Sequence, residues 1–215
     1  MMNDKHREES NDPEVWAEYH TKRLGTPTHA LNVLKRSIVC EMFANKILRM
    51  SGPVSSVLEL GCGTGSVLNV ISRRMDANAV GVDRDQGCIS TAQHNYPRAT
   101  YQQGDIFNLP FEEKSFDLVY SVGLFEHFSY EDQLRLLNIH ARYAKRYVAL
   151  MVPADSWVMN SILYFNKRIL KRNGTWADEE VFSKRLLQEK FSEYEFNVQK
   201  DHRFANMILW FGWQP

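Results

Sequence analysis

A short, largely apolar run, Val54 to Leu60, breaks off into glycines at alternate positions, Gly61, Gly63 and Gly65, and the chain turns amphipathic from Ser66. Short apolar runs of this kind belong in parallel strands buried on both faces. Glycines between such a strand and the next helix let the backbone turn sharply and approach a ligand closely. They do so at the carboxyl edge of the sheet, where α/β proteins bind their ligands.

The same unit recurs downstream. Ser66 to Met75 reads as a helix with Leu68, Ile71 and Met75 on one face, and Ala79 to Asp83 as a second strand. A helix over Gln86 to Asn95, a short strand over Thr100 to Gln103 and a strand over Phe116 to Ser121 follow. Tyr130 to Ala144 reads as a helix with Leu134, Leu137 and Ala141 in phase, and Tyr147 to Val152 as a fifth strand closed by Pro153. Strands and helices alternating at this pitch predict a parallel sheet covered on both faces.

Beyond Pro153 the rhythm breaks. Residues 154–190 read as helical, with a turn at Asn173-Gly174, and Tyr194 to Gln199 and Asn206 to Trp213 read as a terminal antiparallel pair. Ahead of the core, the chain reads helical from Pro13, and a longer helix from about Thr28 to Met50 aligns Leu31, Leu34, Ile38, Met42 and Leu48 until Gly52-Pro53 stops it. The expected fold is α/β: a seven-stranded, mostly parallel sheet with helices on both faces and a C-terminal antiparallel hairpin. The expected organisation is a single domain over 1–215. It divides into a helical extension or lid over 1–53, a cofactor-binding core over 54–152, a helical insert or cap over 153–192 and the hairpin over 193–215.

Two carboxylates frame the glycine loop. Asp83 closes the second strand, where an acid roughly 20 residues after such a loop can accept both hydroxyls of an adenosine ribose. Asp83 or Asp85 could instead cap the helix that follows. Glu59 precedes the glycines. A dinucleotide fingerprint, G-x-G-x-x-G, would need its third glycine at Ser66, and a pyrophosphate is poorly served by a carboxylate at its doorstep. A ligand with an ammonium group, a ribose and an adenine but no phosphate suits the pattern, and S-adenosylmethionine is such a ligand.

Glu59-Leu60-Gly61-Cys62-Gly63-Thr64-Gly65 resembles the first motif of class I (Rossmann-like) S-adenosylmethionine-dependent methyltransferases. Gly81-Val82-Asp83 resembles the family's second strand end, and Gly104 to Phe111 its adenine-binding stretch. Ser115 to Ser121 with Gly123 to Phe128 is similar to the fourth strand and loop of the small-molecule branch. The resemblance implies that Gly61, Cys62, Gly63 and Gly65 pass beneath the methionine portion and ribose, with Glu59 nearby. It also implies that Asp83 holds the ribose, Arg84 lies beside the adenine and Asp105 accepts the adenine amino group. Ile106 would contribute a backbone N–H and an apolar face, and the backbone at Ser121 and Val122 would reach the methionine end.

Methyl transfer from a sulfonium is an in-line displacement, so the protein chiefly aligns the nucleophile and excludes water. A general base matters only where the acceptor loses a proton, and no catalytic residue is assigned. His127 is the nearest candidate, and a packing role with its ring satisfied by backbone is the favoured reading. Tyr19, His20 and Arg23 form either a lid or a solvated helix face. In the insert, Val158, Ile162, Phe165 and Ile169 make a stripe that packs on the sheet edge, with Trp157, Met159, Tyr164 and Trp176 available to cover an apolar acceptor. The cluster Lys167 to Arg172 complements a helix C-terminus.

Charge bears on the partner. The chain has 26 basic and 26 acidic side chains, so the basic excess of a polyanion binder is missing and nucleic acid is disfavoured. Cys40, Cys62 and Cys88 are scattered, without C-x-x-C, as reduced cytoplasmic thiols are, and no metal site is expected. The polar start, Met1 to Asn11, lacks a signal-peptide core, and no apolar run approaches the ~18 residues of a span. The expected protein is soluble and cytoplasmic, with no membrane partner, transferring a methyl group from S-adenosylmethionine to a small organic acceptor. An RNA or protein acceptor, or cofactor binding without turnover, is the alternative.

Overall fold

The central strand β1 (Ser56–Leu60) has four of its five residues buried, which requires a neighbour on each side and a layer on each face. The structure, a computed structural model, describes residues 40–47, 49, 51–155, 160–161, 164, 181–193, 197–201 and 207–211. β2 (Asn78–Asp83) and β4 (Phe116–Val122) flank β1 in parallel, β3 (Thr100–Gln103) lies outside β2, and β5 (Ala144–Pro153) lies outside β4. These five strands are all parallel, in the order β3-β2-β1-β4-β5. β7 (Met207–Phe211) pairs antiparallel with β5, and β6 (Asn197–Asp201) antiparallel with β7. The connection over 202–206 lies outside the described residues.

Besides the helical stretch 40–47, the described residues form α1 (Ser66–Met75), α2 (Gln86–Asn95), α3 (Tyr130–Tyr143) and α4 (Lys184–Lys190), with a 3₁₀ turn over Phe125–His127. Successive strand residues face opposite sides, so one core forms on each face of the sheet. The first holds Val57, Tyr120, Leu68, Ile71 and Ile89 with Phe43 and Ile47 of the helical stretch 40–47. The second holds Leu58, Leu60, Val119, Leu136, Leu137 and Phe182.

The buried face of 40–47 is Cys40, Phe43, Ala44 and Ile47, with Met42 only half-buried, a phase one residue away from that expected. The face of α3 is Gln133, Leu136, Leu137, His140 and Tyr143, and Leu134 and Ala141 stand at its borders. Two core-facing positions there are polar, which no apolar pattern would count. β5 starts directly at Ala144, whose backbone is already extended (φ −80°, ψ 127°) and pairs with Phe116. The expected helical stretch 154–190 is interrupted, because Ala154 bridges in parallel to Phe182.

Tyr19, His20, Arg23, Leu31, Leu34, Ile38 and Leu48 lie outside the described residues. So do Trp157, Val158, Met159, Ile162, Phe165, the cluster 167–172, the 173–174 turn and Trp176. Tyr164 is described and exposed. Among the described residues no helix is long and apolar enough to cross a membrane. Cys40, Cys62 and Cys88 are buried thiols.

Candidate functional site

The chain runs outward from β1 to β2 and β3, then returns to the other side of β1 for β4. Connections leaving β1 and β4 therefore depart in opposite directions, and the carboxyl ends of these strands border a crevice. The glycine loop leaves β1 there, and Gly123 to Phe128 leaves β4 there.

Gly61, Gly63 and Gly65 all hold positive φ, at 68°, 51° and 75°. At Gly65 a side chain is excluded twice over, by backbone conformation and by space. A Cβ on Gly65 would fall 2.6 Å from the Tyr101 ring, and one on Gly61 2.8 Å from Leu124. The Gly61 and Cys62 N–H groups donate to the Val82 carbonyl at 2.8 and 3.0 Å, which ties the loop to the end of β2.

Asp83 tightens the same junction. Its Oδ2 accepts the Gly63 N–H at 2.8 Å, and its Oδ1 accepts the Asp85 N–H at 3.0 Å. Asp85, not Asp83, caps α2, accepting the Cys88 N–H at 2.8 Å. Asp83 is thus left at the mouth of the crevice as the side chain that clasps the glycine loop.

Glu59 is buried beneath that loop, and Tyr120 donates its hydroxyl to Glu59 Oε2 at 3.0 Å. Burial, and then the Glu59 charge, push the Tyr120 phenol well above its ordinary value, so it stays a donor. The same two causes raise Tyr101, whose ring backs Gly65. Burial also raises the Cys62 thiol, with Glu59 and Asp83 adding to the effect, so Cys62 is a neutral packing group.

Past β3, Asp105 is exposed and stabilises its own turn, its Oδ1 accepting the Phe107 N–H at 2.9 Å, while Ile106 is buried. Arg84 is exposed, and its carbonyl accepts from the Gln103 amide at 3.1 Å. Across β1, Val122 is half-buried and Ser121 is buried, its Oγ lying 3.2 Å from His140 Nε2. His127 is buried in the 3₁₀ turn. Its pKa is lowered to about 4, by burial first and then by the positive charge of Arg84, against a hydrogen bond with the Gly123 backbone. Burial thus favours the neutral ring, which also hydrogen-bonds the backbone.

Glu59, Gly61, Cys62, Gly63, Gly65 and Asp83 are thus one contiguous unit, and the positive charge of Arg84 bears on His127. Sequence reading missed Tyr101, Tyr120, Leu124 and His140. Tyr101 carried the clearest signal, as the one ring in β3 and its one buried residue.

Residues 57–146 match the family model described as a methyltransferase domain. Over 79 residues the chain is 38% identical to phthiotriol/phenolphthiotriol dimycocerosates methyltransferase 1 of Mycobacterium ulcerans, covering 34% of this chain and 29% of that one. Over 151 residues it is 30% identical to the probable tRNA methyltransferase 9B of Homo sapiens, covering 69% and 30%. Magnesium protoporphyrin IX methyltransferase of Synechocystis PCC 6803, solved with bound SAM, has a similar fold: TM-score 0.64 at 12% identity, over 100% of this chain and 99% of that one. The chain spans about a third of the length of the curated relatives it matches.

Proposed function

Residues 57–146 belong to the methyltransferase domain family, and on that premise we propose that the chain transfers a methyl group from S-adenosylmethionine to a small organic acceptor. The observation that carries the reading is the clasp between Asp83 and the Gly63 N–H, which puts a carboxylate and a glycine-rich loop at the strand reversal. Each Asp83 oxygen takes one backbone N–H, leaving it further acceptor capacity for a ribose hydroxyl. The cradle at Gly61 and Gly65 is one that a Cβ would fill, and Glu59 beneath it suits an ammonium and opposes a pyrophosphate.

In this reading Gly61, Cys62, Gly63 and Gly65 run beneath the methionine portion and ribose, and Asp83 binds the ribose. Arg84, Asp105 and Ile106 serve the adenine, and the backbone of Ser121 and Val122 the methionine end. The cofactor supplies an electrophilic methyl on a positively charged sulfur. The chain's own task is to align the acceptor and keep water out. A side chain need take a proton only where the acceptor loses one as it attacks.

The proposal extends to the chain as a whole: one domain over 1–215, a helical lid over 1–53, a cap over 153–192 and a seven-stranded sheet finished by a C-terminal hairpin, in a cytoplasmic protein. A small acceptor is supported by the balanced charge and by relatives named for phthiotriol and protoporphyrin substrates. A tRNA acceptor is the competing reading, favoured by the human relative. Incubation with methyl-labelled cofactor and fractionated cell extract decides between them. Label is expected in the small-molecule fraction. Label in RNA, with RNA binding that weakens by orders of magnitude from low to physiological salt, would overturn the small-acceptor reading.

A further inference from the structure

Glu59 and Tyr120 are register partners on adjacent parallel strands, so their side chains leave the sheet on the same face. Both are buried, and the phenol of Tyr120 reaches Glu59 Oε2 at 3.0 Å directly below the glycine loop. The Tyr120 ring is itself fixed, packed on Phe43 with centroids 5.6 Å apart and planes tilted by 45°. Ring packing needs only a phenyl group at this position. The hydroxyl makes no contribution to that contact and is directed at the carboxylate.

A carboxylate gripped at one oxygen by a rigid donor has its torsion set, and the direction of its second oxygen follows. Tyr101, which backs Gly65, also feels the Glu59 charge, so the carboxylate's field extends along the underside of the loop. We infer that Tyr120 is a positioning residue that holds the Glu59 carboxylate under the loop, where its charge selects ligands bearing an α-ammonium group. This inference rests on the cofactor reading above. It gives a ligand-discriminating role to a residue that the resemblance left without one.

The test is calorimetric titration of the parent and Tyr120→Phe with S-adenosylhomocysteine and with the same compound lacking its amino group. The variant keeps the ring and its contact with Phe43 but takes the donor from a buried carboxylate oxygen, so its melting temperature should fall by several degrees with the fold retained. It is expected to lose about tenfold in affinity for S-adenosylhomocysteine, the scale of a hydrogen bond to a charged group, and less than about twofold for the des-amino compound. Equal losses for both ligands would make Tyr120 merely structural and overturn the inference, as would no loss for either. A parent that binds both compounds equally overturns it too, with the cofactor reading intact. A parent that binds neither removes the cofactor reading, and the inference falls with it.

If the single variant does not fold, Tyr120→Phe combined with Glu59→Gln replaces it, because the buried charge that needs the phenol is then gone. The double variant should bind S-adenosylhomocysteine as Glu59→Gln alone does. A further loss would overturn the inference.

Discussion

On the β1–β2 side of the crevice the surface is made of backbone: three residues at positive φ, two N–H groups on one carbonyl, and a carboxylate gripping a third N–H. Across β1, on the β4–α3 side, the strand end is held by buried side chains. His140 is fully buried with Nδ1 2.7 Å from the Leu136 carbonyl and Nε2 3.2 Å from Ser121 Oγ. A carbonyl only accepts, so Nδ1 carries the hydrogen and Nε2 accepts from the Ser121 hydroxyl. That arrangement exists only while the ring is neutral. The first side is therefore vulnerable to added atoms and the second to added protons.

The largest effect should come from adding one carbon to the backbone side. Gly65→Ala combines a left-handed backbone with a contact on the Tyr101 ring, and should cost about 3 kcal/mol or more in denaturant unfolding and abolish cofactor binding. A variant that unfolds and binds like the parent would show that the loop is softer than its geometry implies.

Acid tests the other side. His127 and His140 both have folded-state pKa values lowered to about 4 from an ordinary 6.5, chiefly by burial. The unfolded chain therefore binds more protons between these values. Stability from this source is complete above pH 6.5 and is lost as pH falls towards 4, on the order of 3 kcal/mol per histidine. His140→Gln should be less stable than the parent near neutrality but lose less between pH 6.5 and 4.5. Parallel unfolding curves for the two proteins would remove His140 as the cause.

A pair of aspartates two residues apart sharpens the comparison at smaller scale. Asp83→Ala should weaken cofactor binding by about 1.5–3 kcal/mol and speed amide exchange at Gly63, since it removes the clasp. Asp85→Ala should cost about 1 kcal/mol of stability as a lost helix cap and leave binding unchanged. If the two variants behave alike, loop clasping and helix capping are not separated as the hydrogen bonds indicate.

Most of the backbone side was legible beforehand. Three alternate glycines after an apolar strand announce a sharp turn at the strand end, because that depends on a few neighbouring residues. The same local logic placed α1, α2 and β3 at their observed bounds. It could not say whether Asp83 or Asp85 caps α2, since either spacing permits a cap and only the clasp on Gly63 takes Asp83 away.

The other side was not legible, for a different reason. Gln133 and His140 look like solvent-facing residues in a helix pattern, yet both are fully buried because β4 and the turn after it supply polar partners, among them the Phe125 carbonyl and Ser121 Oγ. Tyr120 meets Glu59 across a separation of 61 residues, a contact that exists only once β4 returns beside β1. Sequence by itself thus determined the strand–glycine–helix unit and its carboxylates, whose conformations are set by local sterics and hydrogen bonds. Tertiary structure alone decided which polar side chains go inside, because burying a polar group is tolerable only where a distant part of the chain brings its partner.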